Sequence, residues 1–328
     1  MPRGLVLGKF LPYHAGHAHL IRTARAAVDE LVVLVCSVER EPIPGPYRFA
    51  WVRDAHPDCR VIHVAEEVPQ APEDSAEFWP IWTDLIARYA GHVDVVFTSE
   101  SYGHELARHI GARHVSVDRE RRTVPISASE IRADPMRHWD FIPRVAQPYF
   151  AKRVALLGTE STGKTTLSQW LAKRFDTAWV EEYGRPYCET RPALTLELID
   201  FAAIAWGQVT WEEDGALGAN RVLICDTELH TTATWSDIVV GERPAGLTEA
   251  ARARHYDLVL LLSEVGTPWV DDGLRVLSGR RAEHTRILRA ELEAAGRKYV
   301  ELSGSFAERE REAERLVANL VGEASRAE

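Results

Sequence analysis

Short runs of apolar residues alternate along the chain with longer stretches in which apolar and polar residues recur at helical spacing. Continuous apolar runs are typical of strands buried on both faces of a parallel sheet, and the stretches between them predict amphipathic helices. The runs fall at residues 4–8, 31–36, 61–64, 93–97, 115–117, 154–158, 221–225, 258–262 and 299–302. The predicted helices cover residues 18–28, 76–89, 102–110, 164–175, 194–211 and 283–295. This alternation predicts an α/β fold.

The cycle of strand and helix starts twice, each time with an apolar strand followed by a loop that contains glycine. Pro135, Pro143 and Pro148 cluster just before the second start, and each proline disfavours helix at the residue before it. A chain of 328 residues suits two domains. We therefore predict two doubly wound parallel-sheet domains, one at residues 1–149 and the other at residues 150–328.

The composition is that of a globular protein, with 45% hydrophobic and 27% charged residues. A formal net charge of −10 disfavours binding to a nucleic-acid backbone, which is neutralised by lysine and arginine. No apolar run approaches the roughly 20 residues of a membrane span, and the N-terminus lacks the pattern of a signal peptide. The four cysteines form no C-x-x-C pair, which favours free thiols over disulfides or a metal site. We expect a cytoplasmic protein that binds neither nucleic acid nor membrane, and leave homo-oligomerisation open.

Residues 8–17 (GKFLPYHAGH) form the first candidate site, because they connect the first strand to the first helix. A helix N-terminus presents unpaired N–H groups and a partial positive charge, and both suit phosphate. His14 and His17 lie three residues apart, so positive or donating imidazoles can face one anion and stabilise charge on phosphorus. Gly8 would let a nucleotide approach the backbone, and Gly16 would allow a sharp turn into the helix. The alternative is a pair of ordinary surface histidines near a turn.

Residues 126–132 (ISASEIR) supply a second half to this site. Ser127 can cap a helix, and the Arg132 guanidinium can grip a phosphate with two hydrogen bonds. The two segments resemble the H-x-G-H and I-S-x-[ST]-x-x-R motifs of the nucleotidylyltransferase superfamily, with Ser129 where threonine is common. The resemblance implies a Rossmann-like domain that transfers a nucleotidyl group from a nucleoside triphosphate to a phosphate-bearing acceptor, without a covalent intermediate. The two histidines would bind phosphate in catalysis, and the arginine would hold the β- and γ-phosphates. The implied ATP-binding residues are Gly8, Lys9, Phe10, His14, His17, Ser127, Ser129 and Arg132.

Trp79 and Trp82 are the candidate residues for binding the acceptor. They open a predicted helix between the two segments, and an indole face can hold a cationic pyridinium ring by stacking and cation–π attraction. The alternative is that both belong to the core, because they lie three residues apart on one helical face. Residues 96–103 stand at the carboxyl end of a strand, where open α/β sheets bind ligands, and can line the nucleotide pocket.

Residues 158–165 (GTESTGKT) match the P-loop pattern G-x-x-x-x-G-K-[ST] without a gap, after an apolar strand and at the start of a helix. The glycines permit a loop whose N–H groups surround phosphate. Lys164 would reach the β- and γ-phosphates, and the Thr165 hydroxyl would ligate Mg²⁺. The predicted residues of this second ATP site are Gly158, Glu160, Ser161, Thr162, Gly163, Lys164, Thr165 and Thr166.

Further charged residues extend the second site. Asp226 ends an apolar strand and can reach the metal or a water bound to it. Glu182 and Arg185 follow a short strand, where a carboxylate can accept the proton of an attacking hydroxyl. The alternative for Glu182 or Arg185 is a solvated surface charge. The catalytic base is left open between Asp226 and Glu182.

Residues 269–281 are typical of a mobile lid. Arg275, Arg280 and Arg281 can move onto the transferring phosphoryl group and exclude water. The alternative for each arginine is a surface salt bridge.

The two halves together resemble the NadR family over nearly the whole chain. The resemblance includes G-K-F-x-P-x-H-x-G-H, and in the second half E-Y-G-R at 182–185, P-W-V-x-D-G-x-R at 268–275 and S-G-S-F-x-x-R at 303–309. That family couples nicotinamide mononucleotide adenylyltransferase with ribosylnicotinamide kinase, which implies ATP as co-substrate and Mg²⁺ as cofactor. The implied riboside-binding residues are Glu182, Tyr183, Arg185, Trp269 and Asp272, with Tyr183 and Trp269 flanking the nicotinamide riboside. The implied metal ligands are Thr165 and Asp226, and Asp226 would also lie near the attacking 5′-hydroxyl.

Some NadR proteins carry an N-terminal helix-turn-helix that represses transcription. Because the first predicted strand begins at residue 4, we do not expect that role here. The sequence predicts that residues 150–328 phosphorylate nicotinamide riboside to the mononucleotide, and that residues 1–149 join the mononucleotide to AMP from ATP, giving NAD and pyrophosphate. The alternatives are a different nucleoside or phosphorylated acceptor, or a nucleotide-sensing regulator in which one site does not turn over.

Overall fold

The computed structural model describes residues 2–191, 195–270 and 279–322. The chain divides into two compact units, Met1–Ala146 and Gln147–Glu328. A search of the described helices finds none that is long and apolar enough to cross a membrane. The four cysteines are free thiols.

The first unit is a five-stranded parallel sheet with the strand order β3-β2-β1-β4-β5. Its strands are β1 (Arg3–Gly8), β2 (Glu30–Cys36), β3 (Arg60–Val64), β4 (Val95–Thr98) and β5 (Arg113–Ser116). Its helices are α1 (Ala15–Ala27), α2 (Gly45–Ala55), α3 (Phe78–Ala90), α4 (Gly103–Ile110) and α5 (Ala128–Ala133), with short 3₁₀ turns at Pro72–Asp74 and Trp139–Phe141. Both predicted layers, a parallel sheet and covering helices, are therefore present.

The core of the first unit explains why its strands read as continuous apolar runs. Leu5, Val32 and Val96 are fully buried on one face of the sheet, in a cluster that includes Leu85 of α3 and Leu106 of α4. The alternate residues of the same strands are buried as well, because helices cover both faces. The order of the strands reverses at β1, so the loop after β1 opens into the crevice where doubly wound sheets bind ligands.

The second unit repeats this design with the strand order β10-β9-β6-β8-β7, again entirely parallel. Its strands are β6 (Lys152–Leu157), β7 (Trp179–Val180), β8 (Val222–Asp226), β9 (Leu258–Leu262) and β10 (Val300–Leu302). Its helices are α6 (Gln147–Phe150), α7 (Lys164–Arg174), α8 (Gly184–Glu189), α9 (Leu198–Ala216), α10 (Leu229–Val239), α11 (Leu247–Ala253), α12 (Arg281–Ala294) and α13 (Phe306–Val321). Here β6 is the strand at which the order reverses, so the loop after β6 occupies the equivalent position.

The predicted α/β class with two parallel sheets is confirmed, and the main differences concern helices. Helix α2 begins at Gly45, where no helix is predicted. Helices α10 and α13 lie where no helix is predicted. The helix predicted at 194–211 runs instead over Leu198–Ala216, and Leu194 lies outside the described residues.

Two candidate nucleotide sites

The loop after β1 brings both predicted histidines to the start of α1. His14 is the N-cap residue of α1, and its Nδ1 accepts a hydrogen bond of 3.0 Å from the Gly16 N–H. The rings of His14 and His17 lie 3.9 Å apart between centroids. Gly16 is required here for space, because a Cβ on Gly16 would lie 2.8 Å from the His14 ring. This is a further reason for glycine at this position, and the expectation that Gly16 allows a sharp turn stays a prediction.

The surroundings of both imidazoles lower their pKa values and so favour the neutral rings. Burial, assisted by the Arg121 charge, lowers the pKa of His14 to about 4. Burial and the neighbouring His14 lower the pKa of His17 well below its ordinary value. Because the Nδ1 of His14 accepts a hydrogen bond, the proton of its neutral ring is on Nε2. His14 can therefore donate a hydrogen bond to an anion from Nε2 without carrying a positive charge.

Two aromatic rings contact His17: that of Phe10, a predicted site residue, and that of Tyr13, which the sequence analysis did not single out. The Phe10 ring meets the His17 ring edge-on at 4.9 Å, and the Tyr13 ring stacks parallel to it at 6.4 Å. The Tyr13 hydroxyl in turn forms a hydrogen bond of 2.8 Å with Nε2 of His56, which lies 43 residues further along the chain. No local pattern could reveal this support, because the partner follows α2 in a different part of the sequence.

A buried ion pair fixes the backbone at Lys9. Arg48 is fully buried, and its guanidinium donates to the carbonyl oxygens of Lys9 and Cys36 at 2.5 and 3.3 Å. The same guanidinium lies 2.5 Å from Oε2 of Glu41, whose Oε1 is 3.1 Å from the Lys9 ammonium. Glu41 and Arg48 are therefore further members of the site, and their presence explains how the loop after β1 keeps its shape.

The second sequence segment lies against the first. Ser127 caps α5 by accepting a hydrogen bond of 3.2 Å from the Glu130 N–H. The Arg132 guanidinium donates to the Leu11 carbonyl in the histidine loop and to Ser129 Oγ at 3.0 Å. Two segments that are more than 100 residues apart in sequence thus meet at one place in the fold.

The two predicted tryptophans lie in different surroundings. Trp82 is 8% exposed, packs in the sheet core and donates its indole N–H to the Pro69 carbonyl at 2.9 Å. Trp79 is partly buried against the same core and stacks on the His109 ring at 4.6 Å. Trp82 therefore has the packing that the core alternative predicted, and the acceptor-binding role of both stays a prediction.

The second unit contains a cavity of about 550 Å³ beside the loop after β6. The predicted site residues that line it are Glu160, Ser161, Thr162, Gly163, Lys164, Thr165, Thr166, Glu182 and Arg185. Other described residues that line it include Phe201, Ile204, Gln208, Thr227, Thr231 and Trp235. Tyr183 and Trp269 are not among the described residues in its lining, and Asp272 and Arg275 lie outside the described residues.

The loop has the strained geometry of a phosphate-binding turn. Gly158 has φ +148°, and a Cβ on it would lie 2.8 Å from the Leu262 carbonyl oxygen. Gly163 has φ +87° and is the N-cap residue of α7, so only glycine is free of strain at either position. The Thr159 carbonyl accepts hydrogen bonds from Lys164 Nζ at 3.2 Å and from Thr162 Oγ1 at 2.9 Å.

Asp226, at the end of β8, is linked directly to this loop. The Thr165 hydroxyl donates a hydrogen bond of 2.5 Å to Oδ2 of Asp226, whereas Oδ1 is buried and has no partner in the described part of the chain. Burial raises the pKa of Asp226 to about 6; the Lys164 ammonium opposes this shift and the Glu182 carboxylate adds to it. The negative charge of Glu182 therefore disfavours ionisation of Asp226.

The two described lid arginines differ. Arg281 begins α12 and donates to the Thr267 carbonyl at 2.9 Å and to the Ser161 carbonyl of the P-loop at 3.2 Å. Arg280 instead forms an exposed ion pair of 2.7 Å with Glu283, which is the surface salt bridge that the alternative predicted. Only Arg281 of this pair contacts the phosphate-binding loop directly in the described structure.

Family models and known proteins match both halves. A cytidylyltransferase-like family model matches residues 5–134, and an AAA domain model matches residues 153–309. The trifunctional NAD biosynthesis/regulator protein NadR of Escherichia coli (strain K12) is 32% identical over 295 residues, which is 84% of this chain and 72% of the E. coli protein. The chain belongs to the NadR family.

Another relative and two solved structures are similar to part or all of the chain. The nicotinamide-nucleotide adenylyltransferase of Methanosarcina barkeri is 28% identical over 34% of this chain and 64% of its own length. The crystal structure of a NadR protein in complex with NR has a TM-score of 0.83 at 23% identity, covering 100% of this chain and 98% of that one. A second NadR structure, in complex with NAD and AMP-PNP, has a TM-score of 0.81 at 24% identity over the same shares of the two chains. These structural matches confirm the fold over both units.

Glu228→Gln is expected to stabilise this NadR protein, and to do so more strongly at pH 8 than at pH 5. Glu228 is 1% exposed, and both its carboxyl oxygens are without a hydrogen-bond partner among the residues described. Burial raises its pKa from 4.5 to about 8, partly offset by the nearby N–H of His230. Above the unfolded pKa the unfolded chain gives up a proton that the folded protein retains, so wild-type stability falls as the pH rises to about 8.

Glutamine has no such proton, so the variant should escape this loss. We expect the free energy of unfolding of the variant to exceed that of wild type by on the order of 2 kcal/mol at pH 8, which corresponds to roughly 4–8 °C in Tm for a unit of this size. Differential scanning calorimetry from pH 5 to pH 8.5 measures it, with Glu249→Gln on the exposed face of α11 as the matched control. The burial argument would be contradicted if the difference in Tm between the Glu228 variant and wild type stayed constant or narrowed as the pH rises.

Proposed function

We propose that this chain is a two-site enzyme of NAD synthesis, in which residues 150–328 phosphorylate nicotinamide riboside with ATP and residues 1–149 transfer an adenylyl group from ATP to the resulting mononucleotide. The observation that carries the proposal is the presence of two phosphate-binding loops, each at the strand where the order of its own parallel sheet reverses. Each loop has its own charged and hydrogen-bonding residues, so neither reaction needs groups from the other loop. Both reactions consume ATP, which favours a cytoplasmic enzyme.

In the adenylyl transfer, a phosphate oxygen of the mononucleotide attacks the α-phosphorus of ATP. The bond from the α-phosphorus to the bridging oxygen breaks, and pyrophosphate leaves. His14 and His17 would donate hydrogen bonds to the phosphates from neutral rings, and the N-terminus of α1 would add its unpaired N–H groups. Arg132 reaches the histidine loop, which supports the proposal that its guanidinium would hold the departing β- and γ-phosphates.

The other residues proposed for this ATP site shape its walls. Lys9 is held by Glu41 and by the buried Arg48, and Phe10 packs against His17. Gly8 leaves open space beside the backbone, because the atoms that a Cβ there would meet are no closer than 3.7 Å. Ser127 and Ser129 orient α5 and Arg132 respectively. Trp79 and Trp82 remain the proposed contacts of the pyridine ring.

In the kinase reaction, the 5′-hydroxyl oxygen of the riboside attacks the γ-phosphorus of ATP, the bond to the bridging oxygen breaks, and ADP leaves. Lys164 and the N-terminus of α7 would stabilise the phosphates. Glu182 lines the cavity, whereas Asp226 lies behind Thr165, so we assign the hydroxyl proton to Glu182. Arg185 also lines the cavity and would contact the riboside with Glu182, while Tyr183, Trp269 and Asp272 remain proposed ring and ribose contacts.

Thr165 and Asp226 fit a magnesium ion. Mg²⁺ prefers carboxylate and hydroxyl oxygens, and Oδ1 of Asp226 is a buried carboxylate oxygen that no described protein group satisfies. The Thr165 hydroxyl is already oriented toward this carboxylate. A bound Mg²⁺ would neutralise charge on the β- and γ-phosphates. We propose these two residues as its protein ligands, the Asp226 carboxylate acting directly or through a water molecule.

The test of this function is the incubation of purified protein with nicotinamide riboside, ATP and Mg²⁺, followed by chromatography. We expect nicotinamide mononucleotide to form first and NAD to follow, whereas addition of the mononucleotide in place of the riboside should give NAD and pyrophosphate directly. A panel of other nucleosides and phosphorylated acceptors serves as the control for substrate identity. Tight binding of ATP or NAD without any product would instead favour the nucleotide-sensing alternative.

A further inference from the structure

Helix α9 presents a single face to the cavity of the second unit. Phe201, Ile204 and Gln208 all line this cavity, and their spacing places them on one side of the helix. Each is less than a tenth exposed. The face therefore consists of two apolar side chains followed by one side-chain amide, and an amide in an otherwise apolar wall requires a hydrogen-bond partner.

The orientation of the Gln208 amide is determined by its neighbour. The backbone N–H of Tyr183 lies 2.9 Å from Oε1 of Gln208. A backbone N–H can only donate, so the amide oxygen must face Tyr183 and the NH₂ group must point the other way. That nitrogen, Nε2, is buried and has no acceptor within the described ranges 2–191, 195–270 and 279–322.

Close packing keeps the amide in this orientation. A Cβ on Gly207 would lie 2.2 Å from the Tyr183 ring, so this ring rests directly against the backbone of α9. The same ring meets Trp211 of α9 edge-on at 4.7 Å. Gln208 therefore cannot rotate its amide without losing the hydrogen bond from Tyr183. A fixed, buried donor that lacks an acceptor destabilises the unliganded protein, and a ligand that supplies the acceptor recovers this cost.

We propose that Gln208 is the residue that selects the base of the nucleoside, by donating a hydrogen bond from Nε2 to a carbonyl oxygen carried on an aromatic ring. The ring would lie on the apolar face of Phe201 and Ile204. The ribose then extends to Glu182 and the P-loop, where its hydroxyl is phosphorylated. This inference rests on the proposed kinase function and adds the chemical basis of its specificity.

Because Nε2 of Gln208 would donate to the carbonyl of the base, removal of this donor should weaken activity only toward a riboside whose base carries a carbonyl. The test compares nicotinamide riboside with the unsubstituted ribosylpyridinium, which has the same ring and ribose but no carboxamide. Gln208→Glu keeps an acceptor for the Tyr183 N–H and replaces the NH₂ donor by an oxygen. We expect kcat/KM for nicotinamide riboside to fall by roughly 10²-fold in this variant, mainly through KM, and that for ribosylpyridinium to fall by less than about threefold.

A second variant and two controls make the result decisive. Gln208→Met removes both the acceptor and the donor at similar volume. If this variant folds, its kcat/KM should again fall more for nicotinamide riboside than for ribosylpyridinium. Thr210→Ala changes an exposed residue on α9 and should leave kcat/KM for both ribosides unchanged. Adenylyl transfer to nicotinamide mononucleotide, measured in the same preparations, reports whether the protein is intact.

Two failures can be told apart. If kcat/KM falls equally for both ribosides in the Gln208 variants, then the amide supports the cavity wall or the ribose. The base-selecting role is then wrong, while the kinase function stands. If wild type phosphorylates neither riboside, then the proposed kinase function is wrong. Calorimetric titration with the two ribosides then tests Gln208 by itself, and equal affinities in wild type would overturn its role.

Discussion

Lys164→Ala is expected to lower riboside phosphorylation by about 10²–10³-fold and to leave adenylyl transfer within about twofold of wild type. Lys164 is the first residue of α7, lines the cavity of the second unit and lies 3.2 Å from a P-loop carbonyl. In a P-loop the lysine ammonium contacts the β- and γ-phosphates, where charge develops as the γ-phosphoryl group is transferred. Alanine retains the helix but removes this charge.

The two half-reactions are measured separately on the same protein. Formation of the mononucleotide from nicotinamide riboside reports the kinase, and pyrophosphate release with added mononucleotide reports the adenylyl transfer. Lys173→Ala is the matched control, because Lys173 is an exposed lysine in the last turn of the same helix. If Lys164→Ala removed both activities from a folded protein, the two sites would not be independent.

The sequence predicts the strands of both sheets well because their burial is visible in the order of residues. Helices on both faces require an apolar residue at every position, and the run at residues 31–36 is an example in which every side chain is buried. Helix α10 shows the opposite case. Its buried residues include His230, Thr231, Thr232 and Thr234, so the residue types conceal a buried helix face.

Helix α2 was missed for a local reason. Pro44 is its N-cap residue and Pro46 lies in its first turn, a position where proline is tolerated because the first N–H groups of a helix have no partner within it. The prolines at 42, 44 and 46 are also typical of loops, so the sequence predicts no helix there. The same helix carries Arg48, so failure to predict α2 also concealed the support of the loop after β1.

Some residues of the candidate sites are contiguous in sequence and can be predicted, whereas others are brought together only by packing. The P-loop is contiguous, and its predicted residues from Glu160 to Thr166 line one cavity. Its partners on the cavity wall, such as Gln208, depend on how α9 packs and carry no local pattern. The protonation of His14 and His17 likewise depends on burial, which a spacing of three residues does not reveal.

His17→Ala should have the reverse effect of the lysine substitution, with adenylyl transfer reduced by about 10²–10³-fold and riboside phosphorylation unchanged within about twofold. The His17 ring contacts the rings of Phe10, Tyr13 and His14 at the start of α1. The Arg132 guanidinium reaches the same loop through the Leu11 carbonyl. Removal of the His17 ring would take away a hydrogen-bond donor to the phosphates and leave a gap beside the two aromatic rings. Pyrophosphate release at saturating ATP and mononucleotide measures the effect.

Comparison with two further variants separates these contributions. His17→Asn keeps a side-chain N–H donor of similar reach and should recover part of the lost rate, whereas a purely structural role would be measured as a similar loss for both substitutions. His19→Ala is the matched control, because His19 lies in α1 one position beyond Ala18 and outside the proposed phosphate contacts. Full adenylyl transfer by His17→Ala would mean that the motif resemblance does not extend to this histidine, and the phosphate-binding role would pass to His14 and Arg132 alone.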